Sequence, residues 1–132
     1  MVEANVAEGF PHLDFDRVVT YTTMKHLIEQ GSVIFRVLKH DQKIIGYYVC
    51  EAINYYFTTG AYMTMYYIYV IPKFRGTRAY LMLMKDFEHW ATINKMRELM
   101  VGVDSGINVD KLEKGFKKLG YTFVGSYYKK YM

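Results

Sequence analysis

Ile68-Tyr69-Val70-Ile71-Pro72-Lys73-Phe74-Arg75-Gly76-Thr77-Arg78-Ala79-Tyr80 is the stretch on which the reading of this 132-residue chain turns. β-branched and aromatic residues run up to Pro72, a residue that central strands exclude. A basic turn containing Gly76 follows, and beyond it Leu81, Met84, Phe87 and Ala91 return at helical spacing. The order is strand, turn, helix. A helix start presents N–H groups without intrahelical partners and the positive end of the dipole, so such a turn suits a phosphate group. Lys73, Arg75 and Arg78 add full charges beside it. The same residues also fit a solvated surface around an ordinary connection, so alone they do not fix a ligand.

Working outward, residues 1–13 hold Gly9 and Pro11 without periodicity and are expected to form a loosely held arm. From Asp14 or Asp16 as a cap, Val18, Tyr21, Met24, Leu27 and Ile28 recur at helical spacing until Gly31. Val33 to Leu38 and Ile44 to Ile53, parted by the polar His40-Asp41-Gln42-Lys43, read as a hairpin, and Tyr62 to Val70 forms a third strand after the connection Asn54 to Gly60. The next helix carries Lys85, Asp86, Glu88 and His89 on its outer faces and ends near Asn94. Leu99 to Val103 is a short strand pattern, and Asp104 to Asn108 a turn. Leu112, Phe116 and Leu119 stripe a last helix opposite Lys111, Lys114 and Lys118. Gly120 stops that helix, and Tyr121 to Ser126 is expected to be the final strand, before the tail Tyr127-Tyr128-Lys129-Lys130-Tyr131. Together these make a single α/β domain, an antiparallel meander followed by crossovers.

Composition narrows the function classes. The apolar content of 52% suffices for one core, and no apolar run approaches the roughly 18 to 20 residues that span a bilayer, the longest being Ile44 to Cys50 and Met65 to Ile71. The first residues, with Glu3 and Glu8, lack the order of a secretion signal, so a cytoplasmic location is expected. One cysteine, Cys50, excludes an internal disulfide and reads as a buried structural thiol. His12, His26, His40 and His89 lack ligand spacing, so no metal is expected. The net charge of +4 fits an anionic ligand as well as a nucleic acid. Fourteen tyrosines and eight phenylalanines suit base stacking or a half-buried sheet alike. Trp90 reads as core, His89 as exposed, and the lysine stripe and tail as solvated faces.

The opening stretch resembles the GNAT (Gcn5-related N-acetyltransferase) pattern of a strand ending in Val-x-Pro, then Arg or Gln, two residues, Gly, one residue, and Gly or Ala. A second segment, Gly115-Phe116-Lys117-Lys118-Leu119-Gly120-Tyr121, is similar to the close of the last GNAT helix. The likeness is nearest to the small GNATs carried by bacteriophages. It implies a mixed twisted sheet of about six strands flanked by helices. It further implies acetyl-CoA as co-substrate and a primary amine, small molecule or protein, as acceptor, attacking the thioester directly. By the resemblance Ile68, Tyr69 and Val70 line the pantetheine arm through the backbone, Arg75, Gly76, Thr77, Arg78, Ala79 and Tyr80 cradle the diphosphate, and Asn108 and Phe116 close the opposite wall. The third and fourth strands part to admit the cofactor.

Two departures stand out. Arg78 and Tyr80 occupy positions where the pattern has glycine and glycine or alanine, and Phe116 stands where many members carry a tyrosine hydroxyl that protonates the departing thiolate. Tyr121 is the favoured substitute acid, with Tyr127, Ser105 or water as alternatives, and Glu51, acting through water, the favoured base, with Glu98 and Asp104 as alternatives. Arg75 is expected to bind phosphate, so that Arg75→Ala weakens coenzyme A binding. A binding or structural module that has lost catalysis and a small nucleic-acid binder are the competing readings, and a homodimer is left open.

Overall fold

The computed structural model describes all 132 residues. Helices α1 (Val2–Gly9) and α2 (Arg17–Glu29) precede strands β1 (Val33–His40), β2 (Lys43–Asn54) and β3 (Ala61–Val70). A short 3-10 turn, Pro72–Phe74, then leads to α3 (Ala79–Ile93), β4 (Glu98–Met100) and α4 (Val109–Lys118). The sheet is ordered β1-β2-β3-β4, the first two pairings antiparallel and the last parallel. Asp41 and Gln42, both at positive φ (49° and 64°), make the two-residue β1–β2 hairpin turn whose twist matches its strands.

Side-chain alternation along the meander sends residues to two cores. Tyr48, Cys50, Met63, Met65 and Val70 meet Leu83, Met84, Phe87 and Ala91 of α3 and Phe116 of α4. Val33, Tyr47, Val49 and Tyr69 form a smaller core with Val2 of α1 and Met24 and Leu27 of α2. Phe87 and Met84 are fully buried, and each such side chain stabilises the fold by roughly 1.5–3 kcal/mol. Gly46 lies where β2 and β3 close up: a Cβ there would sit 2.8 Å from the Tyr69 carbonyl oxygen. At the rim of the larger core Asp86 accepts both a bidentate bond from Arg36 (2.9 and 3.0 Å) and one from the Tyr48 hydroxyl (2.8 Å). The Arg36 bond holds the Asp86 carboxyl below its usual range, and the guanidinium also covers the half-buried Trp90 ring at 5.0 Å.

Several expectations are corrected. The first residues are no loose arm: α1 lies on the sheet, Asn5 donating to the Tyr47 hydroxyl at 2.6 Å. Asp16, not Asp14, caps α2 by accepting from the Val19 N–H at 2.9 Å, and of its expected inward stripe only Met24 and Leu27 pack, Val18 and Tyr21 being 74% and 68% exposed. In α3 the buried position is Leu83, while Leu81 is half-buried. The sheet has four strands rather than about six. Leu99 to Val103 forms strand only through Met100, and Tyr121 to Ser126 carries no strand and no ladder bonds. Parallel pairing of so short a β4 leaves no ladder for a further strand to extend.

Candidate active site

Two strands that part and a helix that begins beside them define the site. β3 and β4 pair only at Tyr62↔Glu98, Met63↔Leu99 and Thr64↔Met100, so from Met65 onward the outer edge of β3 is open. The Ile71 N–H bonds to the Ile45 carbonyl at 2.9 Å. By antiparallel alternation Tyr69 and Tyr67 also turn their backbone groups toward β2, and Ile68 and Val70 turn theirs to the open edge. The Val70 carbonyl confirms that direction, since it accepts from Arg75 Nε at 2.9 Å rather than from β2. The Ile68 and Val70 N–H groups therefore face the gap.

A bulge sits just above. Val49 pairs with Tyr67 and Cys50 with Met65, which leaves Tyr66 as the extra residue on β3. Its hydroxyl donates to the Glu51 carboxylate, and that bond pushes the Tyr66 phenol up to about 12, keeping it protonated beside the charged carboxylate. Glu51 is thus fixed at the bulge, with its second oxygen free of side-chain partners.

The turn after β3 supplies the other half. Gly76, at φ 80°, has open space in front of its Cα. The Arg75, Thr77 and Ala79 amides are occupied by the Pro72 carbonyl (3.2 Å), the Phe74 carbonyl (3.4 Å) and Thr77 Oγ1 (3.2 Å). The amides of Gly76, Arg78, Tyr80 and Leu81 have no protein acceptor. Four free N–H groups at the start of α3 make a strong anion seat, although only three of them belong to the predicted set. Leu81 was missed because its place in the second half-turn of the helix is set by where the helix begins, and Arg78 rather than a polar cap begins it.

The departures from the pattern are accommodated differently. Arg78 adopts an ordinary helical conformation (φ −75°, ψ −3°), so glycine is not required there, and its exposed side chain enters no ion pair. Tyr80 turns inward until its ring reaches 3.8 Å from where a Cβ on Gly115 would lie, and its buried hydroxyl has no partner. Its side chain lies between α3 and α4, away from the free amides. Burial raises its pKa well above the usual phenol range.

Arg75 is engaged within the chain. Its guanidinium grips Glu8 of α1 with two bonds of 2.7 Å and lies 5.3 Å from the Tyr69 ring, on the α1 side of the sheet. The pair holds the Glu8 carboxyl below its usual range. Arg75 therefore shapes the turn and anchors α1, which leaves Lys73 and Arg78 as the cations of the turn outside any ion pair.

The remaining predicted residues lie on the far wall. Asn108, at φ 54°, precedes α4 with its exposed side chain unbonded, and Phe116 is buried 6.1 Å from the Tyr121 ring. Tyr121 donates to Glu88 at 3.2 Å, and burial, with the Glu88 carboxylate beside it, raises its pKa, so its hydroxyl is committed to α3. Tyr127 lies over Gly102, and Ser105 Oγ accepts from the Ile107 N–H at 3.3 Å. Glu98 accepts from Tyr55 at the opposite end of the β3–β4 pairing. A wide cleft of about 1200 Å³ opens between β4 with its continuation, α4 and the C-terminal segment, on the side of β4 away from the amide-lined gap.

The site is thus a sheet opened between parallel strands, with amides along one edge and unpartnered N–H groups at the start of the next helix. The acetyltransferase (GNAT) family model matches residues 4–121, and the chain belongs to that family: it is an acetyltransferase domain. No curated protein matches it. Among solved structures it is similar to an aminoglycoside 6′-N-acetyltransferase of Acinetobacter haemolyticus, at 18% identity over 91% of this chain and 85% of that one, TM-score 0.70. AAC(6′)-Iy bound to the bisubstrate analogue CoA-S-monomethyl-acetylneamine is likewise similar, at 16% identity over 96% and 86%, TM-score 0.74. So is a ribosomal-protein-alanine N-acetyltransferase of Brucella melitensis biovar Abortus 2308, at 14% over 84% and 76%, TM-score 0.68. At these identities the likeness establishes the fold.

Proposed function

We propose that the chain transfers the acetyl group of acetyl-CoA to a primary amine by direct attack within a ternary complex. The observation that carries this reading is the row of unpartnered N–H groups, from Ile68 and Val70 on the open edge of β3 to Gly76, Arg78, Tyr80 and Leu81 at the start of α3. Their order along the chain suits a ligand with amide and thioester carbonyls at one end and a diphosphate at the other. Acetyl-CoA supplies the acyl group as a thioester. The Ile68 and Val70 amides hold its carbonyls, the α3 start with Arg78 holds the diphosphate, and Asn108 reaches the pantetheine arm from α4.

An alkylammonium with a pKa near 10 has no lone pair to attack with at neutral pH. Glu51, held at the bulge by Tyr66, takes the first proton. The amine nitrogen then bonds to the acyl carbon as the carbon–sulfur bond breaks, and the nitrogen's second proton leaves with sulfur as the thiol. Phe116 donates nothing and Tyr121 is held by Glu88, so that proton travels through water.

Thermal shift and thiol release test the reading. Acetyl-CoA raises the melting temperature by mass action, and Arg78→Ala weakens its binding about tenfold, with a shallower salt dependence. Arg75→Ala lowers stability more than affinity. Binding without turnover on any amine favours a module that has lost catalysis, a reading to which Phe116 and the engaged Tyr121 lend weight. Absence of any shift with acetyl-CoA rejects both.

A further inference from the structure

The smaller core leaves a cavity of about 360 Å³ between α1, α2 and the sheet, on the face that bears Glu51. Val2 and Val6 of α1, Met24 of α2, Phe35 of β1, Val49 of β2 and Tyr67 of β3 belong to its wall. No Asp, Glu, Lys, Arg or His belongs to it, and its polar members are an amide, two threonines and phenols. Asn5 already donates to Tyr47 across the wall at 2.6 Å. Burial pushes the Tyr47 phenol up to about 12, so that group stays neutral.

Tyr67 links this cavity to the reaction edge, because it directly follows the bulge residue Tyr66, whose hydroxyl holds Glu51. An apolar hollow thus adjoins a carboxylate placed to receive an amine. We infer that the acceptor is a small monoamine carrying one aryl or branched-alkyl group, which fills the cavity while its nitrogen stays at the mouth near Glu51. This rests on the acetyl-transfer reading above and adds the chemistry of the second substrate.

Size and charge both favour that class. An apolar cavity of roughly 150 Å³ accepts a benzene molecule, so this one has room for a ring with a short alkyl arm. A polycation fits poorly, since each ammonium taken inside loses its hydration and finds no carboxylate. Aminoglycosides carry several ammonium groups. The chain therefore shares a fold with aminoglycoside acetyltransferases while offering its acceptor an uncharged wall.

The test uses the whole chain with 2-phenylethylamine, ethylamine and spermidine as probes. Thiol release gives kcat/KM at least tenfold higher for 2-phenylethylamine than for spermidine, and calorimetry shows 2-phenylethylamine binding without acetyl-CoA. Val19→Glu places a carboxylate at the cavity's exposed rim and cuts kcat/KM for 2-phenylethylamine about tenfold. Val6→Phe fills the hollow and costs 2-phenylethylamine far more than ethylamine. Both variants keep the acetyl-CoA thermal shift. Preference for spermidine, or indifference of 2-phenylethylamine to both variants with that shift intact, overturns the acceptor class and leaves acetyl transfer standing. A wild-type chain that gives no shift with acetyl-CoA overturns the underlying reading and this one with it.

Discussion

Tyr80 brings a hydroxyl into the α3–α4 junction and leaves it there without an acceptor or donor. An unmade hydrogen bond on a buried group costs about 1–3 kcal/mol, so Tyr80→Phe is expected to stabilise the chain by about 1 kcal/mol, measured as a higher urea midpoint with an unchanged slope. A midpoint at or below that of the wild type would show that the hydroxyl has a partner in solution. The neighbouring departure, Arg78, has the opposite character: a helical backbone and an exposed side chain make it costless to the fold and available to a ligand. From the sequence both looked like obstacles at glycine positions. Which one turned inward depended on Gly115, whose lack of a side chain lets the tyrosine ring approach α4, and a residue that distant in the chain gives no local signal. Tyr66 was illegible for a related reason. A bulge is a property of two strands in register, and one strand's residues look the same with or without it.

At the level of elements, α1 was the largest surprise. Within the helix only Val2 and Val6 lie four apart, too few positions to set a period, and a helix of 8 residues without a side-chain cap does not hold alone in water. Docking decides it, through the Asn5–Tyr47 bond and the Glu8–Arg75 pair. The pair is about one-third exposed on each side, so solvent screens it and Glu8→Gln is expected to cost only about 1 kcal/mol. The larger effect is local: amide exchange and proteolysis within residues 2–10 accelerate while β2 and β3 keep their protection. Uniform acceleration would mean that α1 is integral to the global unit. The last strand failed in the other direction. Tyr121 to Ser126 has strong β composition, yet composition cannot create a partner, and the short β4 provides none. The meander, the turn and α3 were legible because their spacing is set by neighbours within a few residues.

For the molecule as a whole, the lowered pKa values of Asp86 and Glu8 set the acid limit. A carboxyl whose folded pKa lies below its unfolded one contributes stability that is complete above the unfolded value, near 4, and is lost as pH falls through the folded value. Stability should hold from neutral pH to about 5 and decline below about 4. Asp86→Asn lowers it by about 1–2 kcal/mol at pH 7, a figure reduced because the Arg36 pair is partly solvated, and flattens the decline between pH 5 and 3. Urea unfolding at a series of pH values checks both; parallel curves for the variant and the wild type would remove Asp86 from the account.

The three-residue reach of the β3–β4 pairing has one more consequence, for the order in which the chain assembles. β1, β2 and β3 are joined by hairpin connections, so their contacts form between near neighbours and can appear while later residues are still being synthesised. The parallel pair must instead bring Glu98 back to Tyr62 across the whole of α3, which places it late and gives it few bonds with which to close so long a loop. The antiparallel meander is thus expected to form first and the wall of the cleft opposite β3 to dock last, an order that φ-values in β2 and β4 would check.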